Sequence, residues 1–196
     1  MKKKLFVIAC VMICFAIIAV GTVAYYTDSV VAHNVITTGG VNIDIVETQM
    51  DASGMEVPYP DEAIRVLPGY EVSKIVKVKN LIAPCHVRAK IEVEFYDSDE
   101  KKMELSEEAI RNMVHLPYNE EAWEQKAVDD GWWYLKEPLA EGPLTSEALI
   151  EQVEFSGPNI TNEYKDCTIH VIVYAQAVQS ANNGASAVEA AGWPLP

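Results

Sequence analysis

His33, His86, His115 and His170 are the only imidazoles in the chain, and their spacing limits what they can do. No pair sits four residues apart with a glutamate between, the pattern that puts two zinc-ligating imidazoles on one helix face. His86 and His170 fall on the polar faces of strand-like stretches, each near a cysteine. They read as solvated side chains unless the fold brings both pairs together into a Cys/His metal site. Gly-x-Ser-x-Gly, a phosphate-cradling glycine loop and Cys-x-x-Cys are all absent from the sequence. The sequence therefore supports no catalytic centre, metal or cofactor.

Two other clusters carry chemistry-bearing groups. Asp97-Ser98-Asp99-Glu100 gathers hard oxygen ligands where a strand ends. It lacks the ligand spacing and glycine of a calcium loop, and Lys101-Lys102 adjoin it, so a solvated turn is expected. In Trp132-Trp133, adjacent strand residues point to opposite faces, so one ring is expected in the core and the other at its rim. An exposed Trp132 would make a binding platform. Asn159-Ile160-Thr161 has the form of a glycosylation acceptor, which by itself is uninformative.

The leader sets the compartment. Lys2-Lys3-Lys4 is followed by an uncharged run from Leu5 to Val20 and then by Gly21-Thr22-Val23-Ala24. That is the three-part layout of a secretory signal with a cut between Ala24 and Tyr25. The alternative is a retained membrane anchor, since the apolar run is just long enough to span. Either way the lysines stay inside and the remaining chain lies outside, so membrane contact is expected only through the leader. Cys10 and Cys14 belong to the leader, which leaves Cys85 and Cys167 as candidates for one disulfide or as two buried thiols.

Alternation of apolar residues organises the remainder. Val41, Ile43 and Ile45 alternate with polar neighbours, and Glu71 to Asn80 reads as a second strand. In Cys85 to Tyr96, Val87, Ala89, Ile91, Val93 and Phe95 share one face. Ile169, Val171, Val173, Ala175 and Ala177 repeat the pattern after Cys167. Trp132 to Leu135 and Leu149 to Phe155 are shorter strands, and Met50 to Asp61 reads as loop. An acidic insertion spans about 97–130, with Ser106 as N-cap of a helix to about Val114 and a second helix expected within Asn119 to Asp129. The tail, 181–196, contains a small-residue stretch with helical character. The fold class is thus all-β, a jelly roll or β-sandwich over 41–180 with a short helical acidic insertion, preceded by a signal helix at 1–24. Residues 25–40 form an N-terminal segment that ends in Gly39-Gly40.

The formal net charge is −14, and removing the three leader lysines takes it to −17. A field of that sign repels phosphate backbones and anionic lipid, so nucleic-acid binding is not expected.

Gly21-Thr22-Val23-Ala24-Tyr25-Tyr26-Thr27-Asp28, followed by Asn34 to Thr38 and Gly39-Gly40-Val41-Asn42-Ile43, resembles the TasA/camelysin group of Gram-positive proteins. Leu67-Pro68-Gly69, the Asp130-Gly131-Trp132-Trp133-Tyr134 block, Pro143-Leu144-Thr145 and Tyr174 to Gln179 are further points of similarity. The resemblance implies a SipW-type signal peptidase as partner and a jelly-roll domain at the cell surface or in the biofilm matrix. It also implies self-association, or association with other matrix proteins, by strand addition. The donor would be Tyr25 to Thr38, with Tyr26, Val30, Val31, Val35 and Ile36 as apolar anchors. Pairing of this segment within its own domain is the alternative. Camelysin-like relatives are described as metalloproteases, but no matching ligand set stands in this chain. A secreted or cell-surface structural protein is the leading expectation. A camelysin-like protease and a monomeric surface binding module are the alternatives.

Overall fold

The computed structural model describes residues 26–27, 33–37, 40–60, 64–164 and 166–194. The leader, with Ala24 and Tyr25 at its expected cut, lies outside them, as do Val30 and Val31. Among the described residues no helix is long and apolar enough to cross a membrane.

In chain order the strands are β1 (Tyr26–Thr27), β2 (His33–Thr37), β3 (Ile43–Met50), β4 (Glu56–Pro58), β5 (Arg65–Val66), β6 (Glu71–Asn80) and β7 (Cys85–Tyr96). After helix α1 (Glu107–Met113) come β8 (Val114–His115), β9 (Trp123–Gln125), β10 (Trp133–Leu135), β11 (Ile150–Phe155) and β12 (Thr168–Gln179). One five-stranded sheet has the order β2-β12-β7-β10-β9 and the other β4-β3-β6-β11-β8, with β1 and β5 forming a separate ribbon. The protein is all-β, and its ladders are antiparallel except where β2 runs parallel to β12.

Alternation explains why the sheets face each other. Val87, Ala89 and Ile91 of β7 and Val171, Val173 and Ala175 of β12 share one core with Ile43, Ile45, Val76 and Val78 from the opposite sheet. Burying such aliphatic side chains contributes about 1.5–3 kcal/mol each before chain entropy is counted. The inner face of β6 also carries Lys74, whose Nζ lies 2.9 Å from Glu47 and 3.9 Å from the Tyr59 ring centroid. Burial pushes the Lys74 ammonium below its ordinary range while Glu47 pulls it back.

The acidic insertion is less helical than its composition suggests. Ser106 does cap α1, its Oγ accepting from the Ala109 amide at 3.2 Å, with Glu107 and Glu108 in the first turn. The second expected helix does not form: residues 119–125 turn and then enter β9, an edge of the β2-containing sheet. The insertion thus supplies an edge to each sheet, β8 and β9. The 50–61 stretch is likewise not all loop. Asp51 closes a turn by accepting from Ser53 and Met55 amides, and β4 pairs back on β3.

Of the two readings of Cys85 and Cys167, register favours buried thiols over a disulfide. Gln179 pairs with Cys85 and Thr168 with Tyr96, so the cysteines sit at opposite ends of one antiparallel pair. Twelve residue steps at ~3.4 Å separate them by roughly 40 Å, far beyond the Cα–Cα reach of a bridge. Both are free and buried, and desolvation pushes the Cys85 thiol up to about 11. Alkylation without reductant, in denaturant, is therefore expected to modify both Cys85 and Cys167, whereas the folded protein stays largely unlabelled at neutral pH. Recovery of a Cys85–Cys167 cross-linked peptide by mass spectrometry would refute this.

Candidate functional site

β12 presents two distinct environments, an edge and an outward face. Along the edge opposite β7, β2 lies parallel to it, with His33 opposite Val173, Val35 opposite Ala175 and Thr37 opposite Ala177. Of the candidate donor residues, Tyr26 pairs with Val66 in the β1–β5 ribbon, and Val35 and Ile36 lie in β2. The segment is therefore split between two ladders. β2 covers five of the twelve residues of β12, so the described neighbour on this side is short. A strand edge left open presents unpaired amide and carbonyl groups that a further strand can take up.

The outward face of the same pair is covered by the tail, which is where the sequence reading needs most correction. Residues 181–194 form turns, not a helix, and cross the outer side of β7 and β12. They enclose Trp132, Tyr134 and Ala187 in a second small core, with Trp193 packed against it. Arg88 stands at its centre. Its guanidinium lies 4.3 Å from the Trp132 ring centroid and 4.8 Å from that of Trp193. Arg88 Nη2 donates to Gln176 Oε1 at 2.7 Å and to the Pro194 carbonyl at 3.2 Å. Two aromatic faces and a fork of hydrogen bonds compensate a cation that is only 7% exposed.

This strap changes the fate of three expected site residues. Trp132 and Trp133 are both buried, against the expectation of one rim ring: Trp133 stacks on Tyr118 in the main core and Trp132 lies under the strap. His86 is not solvated either, being 1% exposed with neither ring nitrogen hydrogen-bonded. Burial lowers its pKa, with the backbone of Gly184 and Asn183 acting in the opposite direction. His170 lies opposite Glu94, eight pairs along the ladder from His86 opposite Val178, and its ring packs against that of Tyr96 at 4.4 Å with a 32° tilt. The two imidazoles share no site. Only the Trp193-Pro194 ending hinted that the tail had a ring to bury.

Elsewhere, Asp97 accepts from the Asp99 and Lys101 amides in a solvated turn. A cleft of about 520 Å³ is lined by Tyr70, Glu71, Asn112, His115, Glu154 and neighbouring residues. Glu71, Glu154 and His115 occupy paired positions across β6, β11 and β8, and Gln152 bridges the carboxylates. Among the described residues no three His, Cys, Asp or Glu side chains are grouped to hold a metal ion.

No protein-family model, no curated protein and no solved structure matches the chain.

Two outcomes are expected from the strap. Trp193→Ala removes one face of the Arg88 sandwich, so amide exchange across 183–193 should rise while β7 and β12 stay protected. The stability loss should be roughly 1–3 kcal/mol; unchanged exchange in the tail would contradict it. His86 has a depressed pKa in the fold, so its contribution is intact above the unfolded histidine value of about 6.5 and is lost as pH falls through the lower folded value. Protection of the tail amides, corrected for the intrinsic pH dependence of exchange, should therefore fall on acidification from neutrality, and His86→Phe should flatten that dependence.

Proposed function

We propose that this chain is an exported structural protein of the cell surface or extracellular matrix, built on a jelly roll, whose copies associate by exchanging the N-terminal strand. One observation carries the proposal: the segment that follows the leader occupies a sheet edge rather than a central position, parallel to β12. A central strand has a ladder on each side to break before it can leave, whereas β2 has one, to which the donor segment adds the two residue pairs of the β1–β5 ribbon. Five residue pairs at a net 0.5–1.5 kcal/mol per hydrogen bond amount to a few kcal/mol. A second copy's β2 in the same register restores every bond, so exchange costs little beyond association entropy.

The sequence after β2 supports the same reading. Gly39-Gly40 precedes Val41, and a side chain added at Gly40 would meet nothing within 4 Å, so the joint is unencumbered. Gly39 itself lies outside the described residues. The leader supports export, with a SipW-type signal peptidase as the partner that releases the chain at Ala24-Tyr25. The net charge, −14 for the full chain and −17 once the three leader lysines are removed, keeps the released protein soluble and disfavours nonspecific collapse, so association depends on a geometrically specified contact.

Protein beginning at Tyr25 should sediment as assemblies larger than a monomer, and protein beginning at Gly39 as a monomer. Equal association by both forms, or monomers from both at all concentrations, would remove strand exchange from consideration.

A further inference from the structure

The same end of the molecule carries both the exit of the donor segment and the place where a donor must arrive. β2 ends at Thr37 beside Ala177, and the chain then crosses to Ile43, which pairs with Asn80 at the end of β6. β12 ends at Gln179 opposite Cys85, and the Ser180 amide donates to the Pro84 carbonyl. Loop 81–84, turn 140–145 and the entry 40–42 form one rim at this end. They are tied by Leu81 N to Asn42 O at 2.9 Å, Asn80 N to Leu144 O at 2.7 Å and Gly142 N to Ile82 O at 3.1 Å. Asn80 is fully buried and its side-chain amide donates to the carbonyls of Ala83 and Ala140, fixing both loops.

The rim is apolar on its outer side. Ile82 is 55% exposed, Leu144 48% and Leu81 38%. Glu141 is the single charged residue among 40–42, 81–84 and 140–145, in a chain of which 22% is charged. Scattered exposed aliphatics need no explanation, but three on hydrogen-bonded loops with almost no charge between them form a patch. Two copies of so acidic a chain repel, and the surface on which they can meet is one depleted of carboxylates.

Six residue steps separate Thr37 from Ile43, which at ~3.4 Å per residue reach at most about 20 Å. If a donor keeps the observed register on another copy, its own Asn80 end must lie within that distance of the acceptor's Ala177. The two rims are then forced together. Because exit and entry share one end, the acceptor's own β2 is within reach of the donor's vacated edge. We infer that exchange is reciprocal: two copies close into a two-fold dimer, joined rim to rim through Leu81, Ile82 and Leu144. A two-fold contact uses the same patch on both partners, which a largely uncharged aliphatic surface satisfies without complementary features. This inference rests on the strand-exchange reading and specifies its partner and stoichiometry.

The test uses protein recovered from a bacterial host exporting the full chain. Sedimentation equilibrium should give a discrete dimer. Ile82→Glu with Leu144→Glu should raise its Kd about tenfold or more, the scale of apposed like charges, with an unchanged melting temperature. Val128→Glu, at an exposed position outside the rim, should leave Kd unaltered. Open polymers without a dimer plateau, or a Kd indifferent to the two rim glutamates, would overturn the inference. Deleting Tyr25 to Thr38 separates the two ideas. A dimer lost by deletion but untouched by the glutamates overturns the rim contact alone. A dimer that survives deletion and yields to the glutamates overturns strand exchange and leaves the rim as the interface.

Discussion

Twelve consecutive residue pairs between β7 and β12 organise the molecule. Their inner faces supply Val87, Ala89, Ile91, Val171, Val173 and Ala175 to the main core. Their outer faces supply His86 and Arg88 to the region covered by the tail, with Gln176 fixing the guanidinium. A one-residue slip in this ladder would turn every one of these side chains to the wrong layer. Since the pair is buried on both sides at its Cys85–Gln179 end, register is specified from two directions there. That double constraint holds the edge of β12 in a fixed position, which a strand-accepting edge requires.

The rest of the architecture follows from how that pair is bordered. On the β7 side, β10 and β9 continue the sheet, the latter drawn from the acidic insertion. On the β12 side the described neighbour is β2, short and parallel, joined to β3 through a glycine-bearing stretch. Parallel pairing needs a crossover from elsewhere in the fold, and here the N-terminal segment fills the edge. Edge strands are normally blunted by charge, proline or short length. Here β2 covers part of the β12 edge, and under the proposed exchange the nearly uncharged rim beside its joint is where a second copy would approach.

Strands were legible in the sequence wherever alternation was long and uninterrupted. Glu71 to Asn80 and Cys85 to Tyr96 match β6 and β7 residue for residue, the latter because five alternating positions fit no helical period. The Ser106 cap was legible for a local reason, a side chain reaching three residues ahead. What escaped was non-local. Cys85 and Cys167 each begin an inward-facing stretch, yet nothing in the sequence states that the strands run in opposite directions. His86 lies on the polar side of its strand, and only the tail, about a hundred residues later, makes that side an interior. Lys74 falls on the apolar face of β6, and its compensation by Glu47 depends on the β3 ladder. The helix expected within 119–129 gave way to an edge strand because Trp123 is completely buried and β9 pairs with β10.

The central claim, that the strand beside β12 belongs to a second copy in the associated state, is tested most directly by cysteines placed at a paired position. Asn34 and Tyr174 are register partners, and Cα atoms paired across a ladder lie within disulfide range. Copies carrying Asn34→Cys are mixed with copies carrying Tyr174→Cys, allowed to associate and then oxidised. Exchange predicts a covalent heterodimer whose digest contains a disulfide-linked peptide joining the two substituted positions. The contradicting result is no covalent heterodimer from the mixture, while a chain carrying both substitutions closes the bond within itself.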